Sequence, residues 1–159
     1  MSSAVSSASF SGLFILAVAS FSTSPLHDSS RYQQTAAQSG SIMLARQIFT
    51  VYEIVDTLQQ AGRGAGVVDT ATLQANLPPQ MRIDGRFRAE ILADGRVVVT
   101  AMPSEIFVPS RVAYLAREKF GSPFLGYVQG GMIYYQGLPP APVPLMANPP
   151  VNGMMIMVL

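Results

Sequence analysis

Few side chains in this sequence are of the types that perform chemistry. Among 159 residues there is one histidine, His27, and no cysteine. Without cysteine, thiolate metal sites, thiol nucleophiles and disulfides are excluded. A histidine acting as acid or base needs a positioned partner, and nothing near His27 in the sequence supplies one. Glu53 and Asp56 stand three apart, as neighbours on a helix face do, and read as solvated surface. Arg111, Arg117 and Glu118 fall on the outward side of a short helical stretch and read the same way. Arg86, Arg88 and Glu90 alternate with Phe87, Ala89 and Ile91, so they form the solvated face of a half-buried strand. The glycines of "GRGAG" (Gly62, Gly64, Gly66) suggest a phosphate loop, but a dinucleotide fingerprint puts its glycines between a strand and a helix start. Here they follow a helix, so they read as its end and a turn. The nine methionines, five of them after Gly131, fit either core filling or an adaptable apolar surface. No catalytic, cofactor-binding or metal-binding set emerges. The expectation is a protein that is not an enzyme.

Composition narrows the class further. Charged residues are 12% of the chain and hydrophobic ones 49%, against roughly 25% charged in an average soluble domain. A chain so poor in charge spans a membrane, sits in an assembly, or hides much of its surface. Ten basic and nine acidic residues leave a net charge of +1, and the charges read as scattered. Nucleic-acid binding calls for clustered Lys and Arg. A single lysine, Lys119, also leaves no polybasic lipid patch.

The first 26 residues carry no charged side chain, and Phe10 to Phe21 is largely apolar. Three readings stand for this stretch. A membrane span takes roughly 20 apolar residues; a cleaved signal would end at the small-x-small Ala17-Val18-Ala19; a first helix could be buried in a fold or an oligomer. The chain therefore divides into residues 1–27, an anchor or signal, and 28–159, one α+β domain. Pro25 closes the first segment, and Asp28, Ser29 and Ser30 offer N-cap oxygens.

From Arg31 to Gln60 the apolar residues Ile42, Ala45, Ile48, Phe49, Tyr52, Val55 and Leu58 step by three and four, the stripe of a long helix. Ser39-Gly40-Ser41 marks a place for a kink. "ATLQANLPPQM" reads as loop, stiffened by Pro78-Pro79. Next comes a hairpin, with Phe87, Ala89 and Ile91 inward, Asp94-Gly95 turning, and Val97 to Thr100 returning. A short helix runs from about Ser110, capped by that serine and ended at Gly121, with Val112, Leu115, Ala116 and Phe120 inward. A strand follows near Met132 to Gln136. "PPAPVPLMANPP" crosses in an extended, polyproline-like form. The apolar run from Met154 to Leu159 would aggregate if exposed, so it is expected to close the sheet from inside. The fold class is α+β: an apolar segment and long helix, then a small antiparallel sheet with one short helix.

In order of elements the chain resembles the PilM family of conjugative (thin) type IV pilus operons. The likeness rests on the N-terminal segment, "NLPPQMR" (Asn76 to Arg82) after the long helix, the hairpin "RVVVTAMPSE", and "GGMIYYQGLPPAPVPLMANPPVNGMMIMVL". It implies a small inner-membrane protein with one N-terminal span and a periplasmic domain, working within a pilus assembly apparatus through protein contacts. Partners would be other proteins of that assembly and the membrane, with a homo-oligomer also in view and no nucleic acid. The basic residues Arg31 and Arg46 after the segment would by themselves favour a cytoplasmic domain. A soluble, phage- or plasmid-encoded oligomeric subunit is the alternative.

Overall fold

The computed structural model describes the backbone of residues 24–103 and 107–159, with side chains of the first helix described from Gln34 onward. Residues 1–23, which hold most of the apolar segment, lie outside the described residues. Residues 38–159 form one compact unit.

Helix α1 is Ser24–Gln60. It starts earlier than the capping pattern at residues 28–30 indicates, because Pro25 falls in the first turn, where its missing N–H costs no hydrogen bond. Of its expected stripe Ala45, Ile48 and Val55 are fully buried and the rest half-buried, while Leu44 and Val51, outside that stripe, are buried too. No break occurs at Ser39-Gly40-Ser41, and Gly40 is a site of close approach, since a Cβ there would press on the ring of Phe107. The described chain continues with β1 (Gly66–Val68), α2 (Thr70–Asn76), β2 (Phe87–Ile91) and β3 (Val97–Ala101). After these come α3 (Pro109–Phe120), β4 (Leu125–Gln129), β5 (Met132–Tyr135), β6 (Ala141–Pro142) and β7 (Met155–Val158).

Three local expectations are corrected, one of them Phe120, expected inward but 39% exposed at the end of α3. The stretch expected as loop contains α2, nucleated by Asp69, whose carboxylate accepts from the Thr72 N–H at 2.8 Å and from the Thr72 hydroxyl at 2.7 Å. Helix α3 begins at Pro109 after Val108 and has no side-chain cap, so Ser110 lies inside the first turn; Gly121 ends the helix in the left-handed conformation, as the sequence indicates.

The strands form one antiparallel sheet in the order β1-β2-β3-β7-β4-β5-β6. The C-terminal strand is therefore interior. It pairs with β3 (Val99 opposite Met157) on one side and with β4 (Leu125 opposite Met157) on the other. Strand β4 was not apparent in the sequence because Gly126 interrupts it. That glycine is required by space: a Cβ would sit 2.7 Å from the Tyr134 carbonyl oxygen.

The two faces of the sheet are covered differently. On the first, Phe87, Ala89, Ile91, Val97, Val99, Ala101, Leu125, Met155 and Met157 meet Leu44 to Val55 of α1 and Val112 to Ala116 of α3. On the second, Val98, Val128, Ile133 and Ile156 form a smaller core with Leu92. No helix covers this face among the described residues. Its cover is the proline-rich strap, residues 138–150, whose Val143 and Met146 pack down on it.

Candidate interaction surface

Beyond the pairing of its β6 with β5, the strap is held at two further points. The N–H of Val143 donates to the Gly131 carbonyl at 3.1 Å. That of Ala147 donates to both carboxylate oxygens of Glu90, at 3.0 and 3.1 Å. Glu90 is therefore no member of a solvated face. It is 9% exposed, beside the fully buried Thr100 on the neighbouring strand. Alternation correctly gave its side of the strand, but its cover comes from a segment 57 residues later, which no local pattern reports. Arg88, on the same face, does remain exposed, and Arg86 belongs to a turn, bound to Asp84 at 2.7 Å.

Between the two anchors the strap turns a side chain outward. Leu145 is 98% exposed, flanked by Pro144 and Met146 and followed by the exposed Asn148 and Val151. A second brace sits at the strap's start. The Arg117 guanidinium donates to the Gln136 carbonyl at 2.6 Å, across Gly137, whose φ is +80° and where any side chain would collide with that guanidinium. Arg117 is thus more than helix surface. Tyr135, half-buried at the edge of the second core, has its phenol pushed up by burial, with Arg96 pulling the other way.

The charges are not scattered. Every charged side chain precedes Phe120, and the 40 residues after Lys119 contain none, where an even 12% would give about five. These 40 residues supply β4, β5, β6, β7 and the strap. On their surface stand Phe124, Leu138, Leu145, Val151 and Leu159, all among the exposed large apolar residues. A count of charges along the sequence would have found this segment. Of these apolar residues, Leu145 is the most exposed; exposed apolar patches in general mark interaction sites.

The remaining candidates stay apart. His27 lies in α1, outside the described side chains. Glu53 is exposed and lines a cleft of about 310 Å³ with Thr50, Ile54, Leu58, Asn76 and Pro78. Asp56 accepts from the Gln60 amide at 2.7 Å and, after desolvation, is the second cause of the raised Tyr52 phenol. An adjoining cleft of about 360 Å³ holds Arg46, Gln47 and Arg82 with Met43 and Met81. Arg111 is exposed, and Glu118 meets Lys119 at 3.6 Å. Of the methionines, Met154, Met155 and Met157 fill the core, and Met43 and Met102 are exposed. Among the described residues no three His, Asp or Glu side chains converge on a metal position, and no helix is long and apolar enough to cross a membrane.

No family model matches this chain, and no curated protein or solved structure matches it.

Proposed function

We propose that this chain is a non-enzymatic structural or assembly protein that works by presenting its α+β domain to other proteins. The observation that carries the reading is Leu145, 98% exposed yet held on a braced strap. The uncharged segment before Leu26 supports a membrane anchor. The resemblance to the PilM family of conjugative pilus operons suggests the setting: a bacterial inner membrane, a single pass, the domain in the periplasm, and partners within a pilus assembly.

Two fractionation experiments test the setting. Carbonate extraction of membranes from cells making the full chain should leave it in the pellet, whereas complete release would replace the anchor with a soluble subunit. Protease added to spheroplasts should digest the domain; protection would place it on the cytoplasmic side.

A further inference from the structure

We propose that the cleft between α1 and the loop before β2 binds a phosphate monoester carrying an apolar group, with Arg46 and Arg82 on the phosphate. The inference is independent of the reading of Leu145 as a contact.

The loop is built to hold Arg82 in place. The Met81 N–H closes a turn on the Pro78 carbonyl at 2.8 Å. The Gln74 side chain, from α2, donates to the Met81 carbonyl and accepts from the Ile83 N–H, each at 3.2 Å. Gln47 of α1 donates to the Arg82 carbonyl at 3.5 Å, and Ile83 packs on the first core. The backbone around Arg82 is thus bonded to two helices. Its side chain is exposed and has no hydrogen bond or ion pair among the described residues.

Arg46 is in the same condition. Three and four residues away on α1, where an acidic partner would stand, are Ile42, Met43, Phe49 and Thr50. Other arginines are engaged: Arg63 by Asp69, Arg86 by Asp84, Arg96 by Asp94 and Arg117 by the Gln136 carbonyl. Arg88 and Arg111 are unpaired too, but neither lines this cleft.

Charge selects the ligand. Arg46 and Arg82 line one cleft of about 360 Å³, and no carboxylate lines it with them. Glu53 opens on the adjoining cleft, about two turns or roughly 10 Å further along α1. Asp84 is held by Arg86. Two uncompensated guanidinium groups match a dianion, and each planar fork pairs with two phosphate oxygens. A phosphate monoester carries close to two charges at neutral pH, whereas a carboxylate carries one. The cleft has the size of a small-molecule site, and Met43, Met81 and Pro78 give it an apolar wall. The rest of the ester is therefore apolar.

Calorimetry of the purified full chain at low salt tests the site, with phenyl phosphate, benzoate and inorganic phosphate as probes. Phenyl phosphate should bind once per chain, about tenfold or more tightly than benzoate, which lacks the second charge, or inorganic phosphate, which lacks the ring. Arg82→Gln and Arg46→Gln should each weaken it about tenfold or more. Arg82→Lys keeps the charge without the fork and should weaken it less. Arg88→Gln removes an unpaired charge outside the cleft and should leave binding unchanged. Because these arginines are exposed, the thermal midpoints without ligand should match the wild type, so that lost binding is not lost folding. Dihexanoyl phosphatidate, a water-soluble lipid with the same phosphate, separates the sources: tighter binding than phenyl phosphate assigns a lipid headgroup, weaker binding a soluble ester, and either supports the site. No saturable binding of either ester would overturn the inference. So would benzoate or inorganic phosphate binding as tightly as phenyl phosphate, or equal losses from Arg88→Gln and Arg82→Gln.

Discussion

The two faces of the sheet bury apolar side chains by different means. The first lies under two helices, and its core extends from Leu44 through the strands to Met157. The second lies under a strap with few side chains to contribute, and its buried cluster is only Leu92, Val98, Val128, Ile133 and Ile156. A helix shields a face with a continuous rod of satisfied backbone. An extended segment has no such internal bonding, so this strap borrows its anchors from Glu90 and Gly131. The thicker cover buries the larger core, and the thinner cover turns Leu145 outward.

The largest effect should come from removing what both faces share. Strand β7 has Met155 and Met157 in the first core and Ile156 in the second, and it alone joins β3 to β4. Deleting residues 154–159 should abolish cooperative unfolding, since each large side chain is worth about 1.5–3 kcal/mol on a net stability of about 5–15 kcal/mol. A thermal transition by circular dichroism within a few degrees of the full chain's would break the picture of one sheet.

Next, matched truncations weigh the two covers. Ile48→Ala, under the helices, should cost about 3–5 kcal/mol, and Ile133→Ala, under the strap, about 2–3 kcal/mol, because a thin cover can settle into the space. Both isoleucines are at most 1% exposed, so burial alone does not separate them. Urea midpoints in the reverse order would show the strap to be the stiffer cover.

A smaller effect sharpens the account of the strap itself. Glu90→Leu removes both acceptors of the Ala147 N–H and should cost about 1–2 kcal/mol. Amide exchange at Ala147 should accelerate well before any residue of α1 does. Uniform acceleration across the domain would mean the strap opens only with global unfolding.

Smallest is the acid response. Asp94 is held below the ordinary carboxylate value of 3.8 chiefly by the Arg96 side chain and backbone, and Asp84 likewise by Arg86. Asp69 is held down by Thr72. A carboxyl group whose folded value is depressed stabilises the fold above its unfolded value, and that contribution disappears as pH falls through the folded value. The thermal midpoint of the wild type should therefore decline below about pH 4 more steeply than that of Asp84→Asn/Asp94→Asn. Parallel curves would show that these exposed turns add nothing to stability, as many surface pairs do.

What the sequence disclosed follows how locally each element is encoded. The stripe of α1, the inward side of β2 and the apolar run of β7 were legible because each is written in the element's own residues. Helix α2 was hidden: seven residues give under two turns of pattern, and Pro78-Pro79 dominates the stretch. Strand β4 was hidden by a glycine demanded by its neighbour. The candidate surface was half legible. Its charge depletion is written in the sequence, whereas the burial of Glu90 depends on a pairing with Ala147 that only the folded chain creates. Cover by a distant segment turns a solvated alternation into a buried one without changing a residue.

The interior place of β7 also bears on how the domain is made. In chain order β7 follows every other strand, yet its position lies between β3 and β4. A ribosome thus delivers the two halves, β1-β2-β3 and β4-β5-β6, before the strand that unites them. Until then both halves present an open edge of unpaired backbone, and the pairing that closes them spans some 57 residues between Val98–Ala101 and Met155–Val158. Closure of such distance is slow, and open edges in the interval recruit other chains. The slot between β3 and β4 is thus the part of the sheet most open to wrong pairing until β7 fills it.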